Sequence, residues 1–255
     1  MHYSYALNPT FYNNVIDLAR MHNPAILILT KTKASGDRAK RIADRLPFDG
    51  AIFTNAIGLS GGLWLLWDSS RVSVTELAKT EQEIHALVTP IYSNTPWLLS
   101  IVYVSPRFVE RCLLWDNLKT VSELHSFPWV MAGDFNEVLM GEDKYRGRAV
   151  NICRALRFQD CLDSCRMMDI GFSGTRFTWS NQRPLSYLIQ ERIDRVFVNA
   201  EWNGLFPESF VQHLKREHSD HCPVLLCLNR SQDINFLRPF RFQPMWLTHL
   251  DFLGT

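Results

Sequence analysis

One short stretch, residues 129–137, constrains the fold more than any other part of the sequence. It reads Trp-Val-Met-Ala-Gly-Asp-Phe-Asn-Glu, an apolar run followed by a small residue and then by an acid and an amide. Alternate residues of a strand share a face, so Asp134 and Asn136 are predicted to leave the strand end toward one cleft. Gly133 allows the backbone to bend there because it carries no Cβ. Taken alone, the stretch is equally compatible with a strand that ends in an Asx-type turn.

The composition indicates a folded chain and excludes one class of function. Of the 255 residues, 46% are hydrophobic and 21% are charged, which suits one large domain or two small ones with a real core. The formal net charge of +1 argues against a protein that binds nucleic acid by bulk positive charge. A locally basic cleft remains compatible with that value.

The cysteines and the N-terminal residues bear on the cellular compartment. Six cysteines are scattered along the chain without a Cys-x-x-Cys pair, and we interpret all six as reduced core residues. Cys161 and Cys165 are four residues apart, which places them on one face of a helix. No signal-peptide pattern is present, and no apolar run approaches the roughly 18 residues of a membrane span. We therefore expect a soluble, intracellular protein.

Hydrophobic spacing predicts a mixed α/β architecture. Helices are predicted at residues 10–22, 37–46, 107–125 and 149–166, with Thr10 as the N-cap of the first. Strands are predicted at residues 25–30, 51–54, 61–67, 72–77, 84–88, 96–104, 128–132, 176–181, 191–198 and 222–228. Of these, 25–30 is predicted to be fully buried, and 96–104 and 222–228 are predicted to be buried. Because many strands interleave with few helices, the pattern favours two packed sheets with outer helices over a doubly wound parallel sheet.

Three short polar segments follow or begin predicted strands: Gly-Asp-Phe-Asn at 133–136, Arg-Ile-Asp-Arg at 192–195 and Ser-Asp-His at 219–221. Each alone is common in surface turns. Together and in this order they resemble the motifs of the endonuclease/exonuclease/phosphatase superfamily, and Tyr103 fits the strand-end tyrosine of that superfamily. The resemblance implies an α+β fold, a four-layer α/β sandwich of the DNase I type, with two mixed sheets face to face and helices outside.

Other segments narrow the resemblance to one branch. Residues 23–29, 61–67, 177–181 and 191–195 look like the endonuclease domain of plant LINE-type (non-LTR) retrotransposons. The composition shifts at residue 229, and 238–249 are similar to the segment that joins that domain to a reverse transcriptase. The resemblance thus implies a domain at 7–228, a linker or tail at 229–255, DNA as the substrate and a nuclear location. We expect a monomer.

The resemblance also assigns roles to individual residues. It implies that Asp134 orients or deprotonates the attacking water, while Asn136 helps to hold the attacking geometry and a phosphate oxygen. It further implies that His221 contacts the phosphate and that Asp194 orients the imidazole by a hydrogen bond. Tyr103 would donate to the phosphate or to the leaving group. These five residues are the predicted catalytic set.

A divalent cation belongs to the same implied site. Asp220 is the implied metal-side carboxylate, and Mg²⁺ (or Mn²⁺) suits an oxygen-rich site of this kind. For DNA contacts, Asn181 and the basic residues that follow the Asp134 motif, Arg146 and Arg148 together with Lys144, are candidates. A solvated loop explains the basic residues equally well.

Two departures from the family pattern fall on the metal side. Relatives carry a glutamate, their main direct metal ligand, in a Leu-Thr-Glu-Thr-Lys-like context, and Lys31 occupies that place here. A protonated lysine has only hydrogen-bond donors and cannot ligate a cation. The opening Trp-Asn-x-Arg-Gly-like motif also has no counterpart in residues 1–9, so we predict a short or missing first strand. The pattern suits a truncated, degenerate copy.

Three functional hypotheses follow. The first is a metal-dependent DNA endonuclease that Lys31 impairs. The second is a catalytically inactive relic that at most binds nucleic acid. The third, less favoured by the LINE-like segments, is a phosphatase of small phosphate esters, because fold alone does not select a substrate.

Overall fold

A computed structural model describes residues 9–34, 36–54, 56–57, 60–217 and 219–229 of the chain. The predicted shortening of the first strand concerns residues 1–8 and lies outside this part. The predicted tail at 229–255 lies outside it as well, apart from its first residue.

The described part contains five α-helices and seventeen strands. The helices are α1 (Pro9–His22), α2 (Gly36–Ala43), α3 (Phe108–Leu124), α4 (Ile152–Ser164) and α5 (Ala200–Leu205). The strands are β1 (Ile26–Leu29), β2 (Gly50–Phe53), β3 (Ala56–Ile57), β4 (Ser60–Gly61), β5 (Trp64–Trp67), β6 (Val72–Lys79), β7 (Glu83–Pro90), β8 (Trp97–Tyr103), β9 (Trp129–Asp134), β10 (Lys144–Tyr145), β11 (Met168–Asp169), β12 (Ser173–Gly174), β13 (Trp179–Ser180), β14 (Gln190–Glu191), β15 (Asp194–Val198), β16 (Phe210–His213) and β17 (Val224–Cys227). None of the helices in the described ranges is both long and apolar enough to span a membrane.

A six-stranded mixed sheet has the strand order β11-β15-β9-β8-β7-β6. Its central neighbours β8 and β9 run parallel, and the other neighbours run antiparallel. Every residue of β8 is buried, as expected for a strand covered on both faces. In this sheet, the C-terminal ends of β8 and β9 lie beside the N-terminal end of β15.

Smaller sheets complete the strand inventory. β1-β5-β2 is antiparallel, whereas β12-β16-β17 combines one parallel and one antiparallel pairing. The third of these smaller sheets, β10-β14-β13, is antiparallel, and β3 pairs with β4.

Three apolar clusters show how the layers stack. The largest lies between the sheets and joins residues such as Leu65 of β5 and Ile101 of β8. A second lies under α3 and α4, where the rings of Trp115 and Phe158 stack with centroids 4.7 Å apart. The third packs α1 and α2 against β1 and β5. Helices, sheet, sheet and helices therefore follow one another, and the predicted four-layer sandwich is confirmed.

The four predicted helices are present, with ends that differ from the predicted ones by three residues or fewer. The prediction of Thr10 as an N-cap is wrong because the helix already begins at Pro9. Proline suits the first turn, where its missing N–H costs nothing. At the start of α4, the Asn151 side chain accepts a hydrogen bond from the N–H of Arg154 at 3.1 Å.

Several predicted strands differ in length or burial from the observed ones. The predicted strand at 191–198 is interrupted, because the N–H of Arg192 donates to the Asp143 carbonyl and that of Ile193 to the Thr178 hydroxyl. The predicted strand at 176–181 reduces to β13. β1 alternates between buried and half-buried positions, so the prediction of full burial is wrong there. β17 was predicted to be buried but is half-buried throughout.

The cysteines are all free, as predicted, but they are not all in the core. Cys161 and Cys165 are buried together on the inner face of α4 and its C-cap. Cys153 is exposed, and Cys112 and Cys227 are half-buried. Cys153 lies on the side of α4 opposite its buried residues, where the helix faces solvent.

His213 in β16 is a buried histidine with a partner for its ring. Its Nδ1 lies 2.7 Å from the Thr175 carbonyl, and its ring stacks on Phe172 with centroids 4.2 Å apart. Burial lowers the pKa of His213 to about 4, against a smaller opposing effect of the Thr175 carbonyl. Because the folded pKa is depressed, the associated stability is present above the unfolded pKa of about 6.5 and is lost as the pH falls toward 4.

We therefore expect acid to destabilise the wild type more than a His213→Asn variant. Between pH 7 and pH 4.5, the free energy of unfolding should fall by about 2 kcal/mol more in the wild type, because only its unfolded state gains this proton. Urea unfolding at the two pH values measures the difference. Equal losses in both proteins would contradict the assignment.

Candidate active site

The register of the six-stranded sheet brings the ends of three strands together at the candidate site. In the six-stranded sheet, Asp134 at the end of β9 lies beside Tyr103 at the end of β8. On the other side, Asp194 at the start of β15 lies beside Asp134. Asp134 is fully buried, and both neighbours are nearly so. The predicted convergence of these three residues is therefore present.

The Asp134 motif ends in a tight turn. The N–H of Asn136 donates to Asp134 Oδ1 at 2.9 Å, and Asn136 has a φ of 46°. The Asn136 side-chain amide donates to the Val104 carbonyl at 2.7 Å. The Asx-type turn that the sequence allowed is therefore present, and it holds the two polar residues together.

Asp194 and His221 form a hydrogen-bonded pair. The His221 Nδ1 lies 2.8 Å from Asp194 Oδ2, and since a carboxylate only accepts, Nδ1 carries the proton. The Thr178 hydroxyl accepts the N–H groups of Ile193 and Asp194, both at 3.0 Å. The predicted bond between the carboxylate and the imidazole is present, and it leaves Nε2 as the second functional nitrogen.

Lys31 lies in the middle of this group. Its ammonium nitrogen is 3.3 Å from Asp134 Oδ2 and 3.5 Å from His221 Nε2. The same atom lies 5.3 Å from the centroid of the Tyr103 ring. The side chain is 22% exposed, in contrast to 0% for Asp134, so its charge is partly open to solvent. The backbone of Lys31 has a φ of 53°, in the left-handed region.

The surroundings favour a charged Lys31 and a neutral Tyr103. Burial opposes the Lys31 charge, but the negative charge of Asp134, with a smaller contribution from Asp194, outweighs it and raises the Lys31 pKa. Burial raises the pKa of Tyr103, against the opposing charge of Lys31. The lysine therefore stays protonated near neutral pH, and the phenol keeps its proton.

Comparison with known proteins agrees with this geometry. The sequence profile described as "Endonuclease/Exonuclease/phosphatase family" matches residues 3–221. The chain belongs to the endonuclease/exonuclease/phosphatase family. Among curated protein sequences, none matches this chain.

Solved structures show that the family fold is shared at low sequence identity. The AP endonuclease LMAP from Leishmania major is 15% identical with a TM-score of 0.65, covering 82% of this chain and 80% of its own. The 3′ phosphatase NExo from Neisseria, bound to a product DNA hairpin, is 20% identical with a TM-score of 0.64, covering 86% and 95%. The endonuclease domain of TRAS1, a telomere-specific non-LTR retrotransposon, is 11% identical with a TM-score of 0.64, covering 89% and 94%.

A divalent metal is typical of the endonuclease/exonuclease/phosphatase family, and the described residues contain one group that could hold an ion. Ligand atoms of Asp134, Asp194 and His221 all lie within 4.8 Å of one another. However, the Asp134 carboxylate already faces the Lys31 ammonium, and Asp194 faces the His221 ring. A second cation beside Asp134 would meet the charge of Lys31 at close range. With lysine at this position, the residues do not fit a divalent ion.

Other predicted residues lie apart from this group. Asp220 Oδ2 accepts from the Trp179 indole at 3.1 Å, and Asp220 is not a member of the metal-compatible group found among the described residues. The Asn181 side chain is bonded to Tyr187 and to Ile189 in its own loop. The structure thus uses Asp220 and Asn181 as loop anchors, and their metal and substrate roles stay predictions.

Among the basic residues after the Asp134 motif, Arg146 and Arg148 are exposed, whereas Lys144 is half-buried. Arg146 donates to the Leu185 carbonyl at 2.6 Å, and Arg148 is exposed. Lys144 is ion-paired with Glu191 across the β10–β14 pairing. Of these three residues, Arg148 alone has neither a hydrogen bond nor an ion pair among the described contacts. DNA contact by the cluster stays a prediction.

Sequence reasoning missed a buried ion cluster behind the Asp134 turn. Glu137 is paired with both Arg111 and Arg154, and Arg154 also reaches the Asn136 carbonyl at 3.4 Å. Arg111 and Glu137 are 26 positions apart. No local pattern marks such a pair, although an acid directly after a buried strand end is a weak signal.

Proposed function

We propose that this chain hydrolyses phosphodiester bonds in DNA and nicks one strand. The observation that carries the proposal is the Asp194–His221 pair, with its 2.8 Å hydrogen bond, beside the fully buried carboxylate of Asp134. Family membership and the DNA-related activities named for LMAP, NExo and TRAS1 support the same reaction class.

In this proposal the chain's own residues perform each proton and charge movement. Asp134 accepts a proton from the attacking water as its oxygen bonds to phosphorus. His221, doubly protonated while the phosphate is bound, donates a hydrogen bond from Nε2 to a phosphate oxygen, and Asp194 holds the ring in position. The bond to the leaving oxygen breaks with its electron pair on that oxygen, which takes the phenol proton of Tyr103. Asp134 then releases its proton to solvent, and Tyr103 regains one from solvent.

We further propose a descent from plant LINE-type retrotransposons. The similarity in fold to the TRAS1 endonuclease domain supports this origin, as do the ordered motifs. Residues 7–228 would then be the hydrolytic domain, and 229–255 the connection toward a reverse transcriptase. The substrate would be DNA in the nucleus, and the chain would act as a monomer with Mg²⁺ or Mn²⁺ lost or weakly bound.

A specific observation favours a second candidate, a relic that at most binds nucleic acid. The Lys31 ammonium lies 3.3 Å from Asp134 Oδ2, at the carboxylate that the reaction needs. An ion pair lowers the basicity of that carboxylate and opposes its role as a proton acceptor. Plasmid nicking by purified protein decides between the two candidates.

Lys31→Glu should raise the nicking rate in Mg²⁺. The substitution removes the competing ammonium and adds an oxygen ligand next to Asp134, so the site should recruit the ion. Nicking of supercoiled plasmid with Mg²⁺ or with EDTA measures the gain. Lys119→Glu is the matched control, because Lys119 is also partly exposed and paired with an aspartate, Asp160.

The same variant has a readout that does not need catalysis. A ligand that binds only the folded state raises the melting temperature, so Mg²⁺ should stabilise Lys31→Glu and leave the wild type unchanged. A folded Lys31→Glu protein that gains neither nicking nor stabilisation by Mg²⁺ would contradict the placement of residue 31 at the metal position.

A further inference from the structure

We propose that the Lys31 ammonium takes the place of the divalent cation, so that this site binds a phosphate group without added metal. The inference rests on the proposed function only for its choice of ligand. It follows from the mismatch between the residues present and a metal ion, and it gives Lys31 a positive role in addition to a blocking one.

The position of the ammonium supports this role. Its nitrogen lies within 3.5 Å of both Asp134 Oδ2 and His221 Nε2 and is held over the Tyr103 ring. A cation at this point is surrounded by the groups that the proposed reaction uses. Because the side chain is 22% exposed, an anion from solvent can reach it without unfolding the strand ends.

Formal charge leads to the same conclusion. A carboxylate that holds a divalent cation contributes a net charge of plus one to its site. Lys31 alone contributes the same charge. Since Asp134 and Asp194 are both acidic and fully or nearly buried, some positive charge is needed before an anion can enter. The lysine supplies it permanently.

The ligand that fits is a phosphate group. Lys31 offers its ammonium N–H donors at the point where Asp134 and His221 meet. Hydrogen bonds between charged donors and phosphate oxygens are the strong class. Asp134 is fully buried, whereas the Lys31 side chain is 22% exposed, so Lys31 is the more accessible of the two charged residues.

Titration of the full chain with inorganic phosphate tests the proposal. We expect the affinity for phosphate, measured by calorimetry, to be the same within about twofold in EDTA and in Mg²⁺. Lys31→Met should weaken binding about tenfold or more, the loss expected for a charged hydrogen bond. Lys31→Arg keeps the charge and should retain most of the affinity. Lys119→Met removes a comparable lysine far from the site and should bind as the wild type does.

Each other outcome overturns the inference. Binding by the wild type that requires Mg²⁺ would show that the ammonium does not replace the ion. Binding that survives Lys31→Met unchanged would place the phosphate elsewhere. If Lys31→Met does not fold, the phosphate affinities of the wild type and of Lys31→Arg in EDTA and in Mg²⁺ still test the inference.

The experiment also separates this inference from the proposed function. Phosphate binding in EDTA without any nicking would support the inference and reject the hydrolytic function. Nicking and phosphate binding that both need Mg²⁺ would support the hydrolytic function and reject the inference.

Discussion

Replacing Asp134 with asparagine should reduce plasmid nicking by at least about 100-fold, the usual contribution of a general base. Asparagine keeps an oxygen that can accept the Asn136 N–H, a bond of 2.9 Å in the wild type, so the turn should persist. It cannot take a proton from water. The variant also leaves the Lys31 ammonium without the carboxylate it faces. Single-turnover nicking of supercoiled plasmid measures the loss.

The controls for this prediction address folding and contamination. Asp160→Asn removes an exposed, lysine-paired aspartate on α4 and should leave nicking unchanged. His221→Ala should abolish nicking to a similar extent, because it removes the ring that Asp194 orients. Near-ultraviolet circular dichroism verifies the packing of each variant. Nicking that survives both substitutions would point to another site or to a contaminating nuclease.

Gly133→Ala should destabilise the fold by about 3 kcal/mol or more. Gly133 has a φ of 145°, and a Cβ there would lie 2.0 Å from the Val102 carbonyl oxygen. That oxygen belongs to β8, which is held in the middle of the six-stranded sheet between β7 and β9. The clash is with backbone in a paired strand, so no side-chain rotation relieves it.

The measurement for this variant is thermal or urea unfolding. The expected loss corresponds to a melting temperature lower by about 6 to 12 °C for a chain of this size. Gly141→Ala is the matched control, because a Cβ at Gly141 meets nothing within 4 Å. A Gly133→Ala protein as stable as the control would mean that β8 and β9 do not approach so closely.

Local patterns predicted the fold well where each element carries its own signal. The apolar spacing in α1 and the amphipathic pattern in α4 identified both helices, and continuous apolar runs identified β8 and β9. The interruption between β14 and β15 was missed. Its cause is the bond from Arg192 to the Asp143 carbonyl and that from Ile193 to the Thr178 hydroxyl, both to residues distant in sequence.

The burial of individual strands and cysteines was harder to predict, because it depends on what lies opposite. β17 has an apolar sequence but is half-buried, and Cys153 is exposed although cysteine is usually buried. Neither sequence segment contains information on the neighbouring layer. The same limitation explains why the Glu137 ion cluster was not anticipated.

The sequence by itself pointed to the family and the four-layer architecture, and it singled out Asp134, Asp194 and His221, which the structure brings together. The ordered motifs carried the resemblance to the family, and their positions at strand ends placed these residues at one edge of the sheet. Only the tertiary structure decided that the Lys31 ammonium lies between Asp134 and His221, and that Asp220 is tied to Trp179. Residues 31 and 221 are 190 positions apart, so the distance between them depends on sheet register and layer packing and on no local pattern.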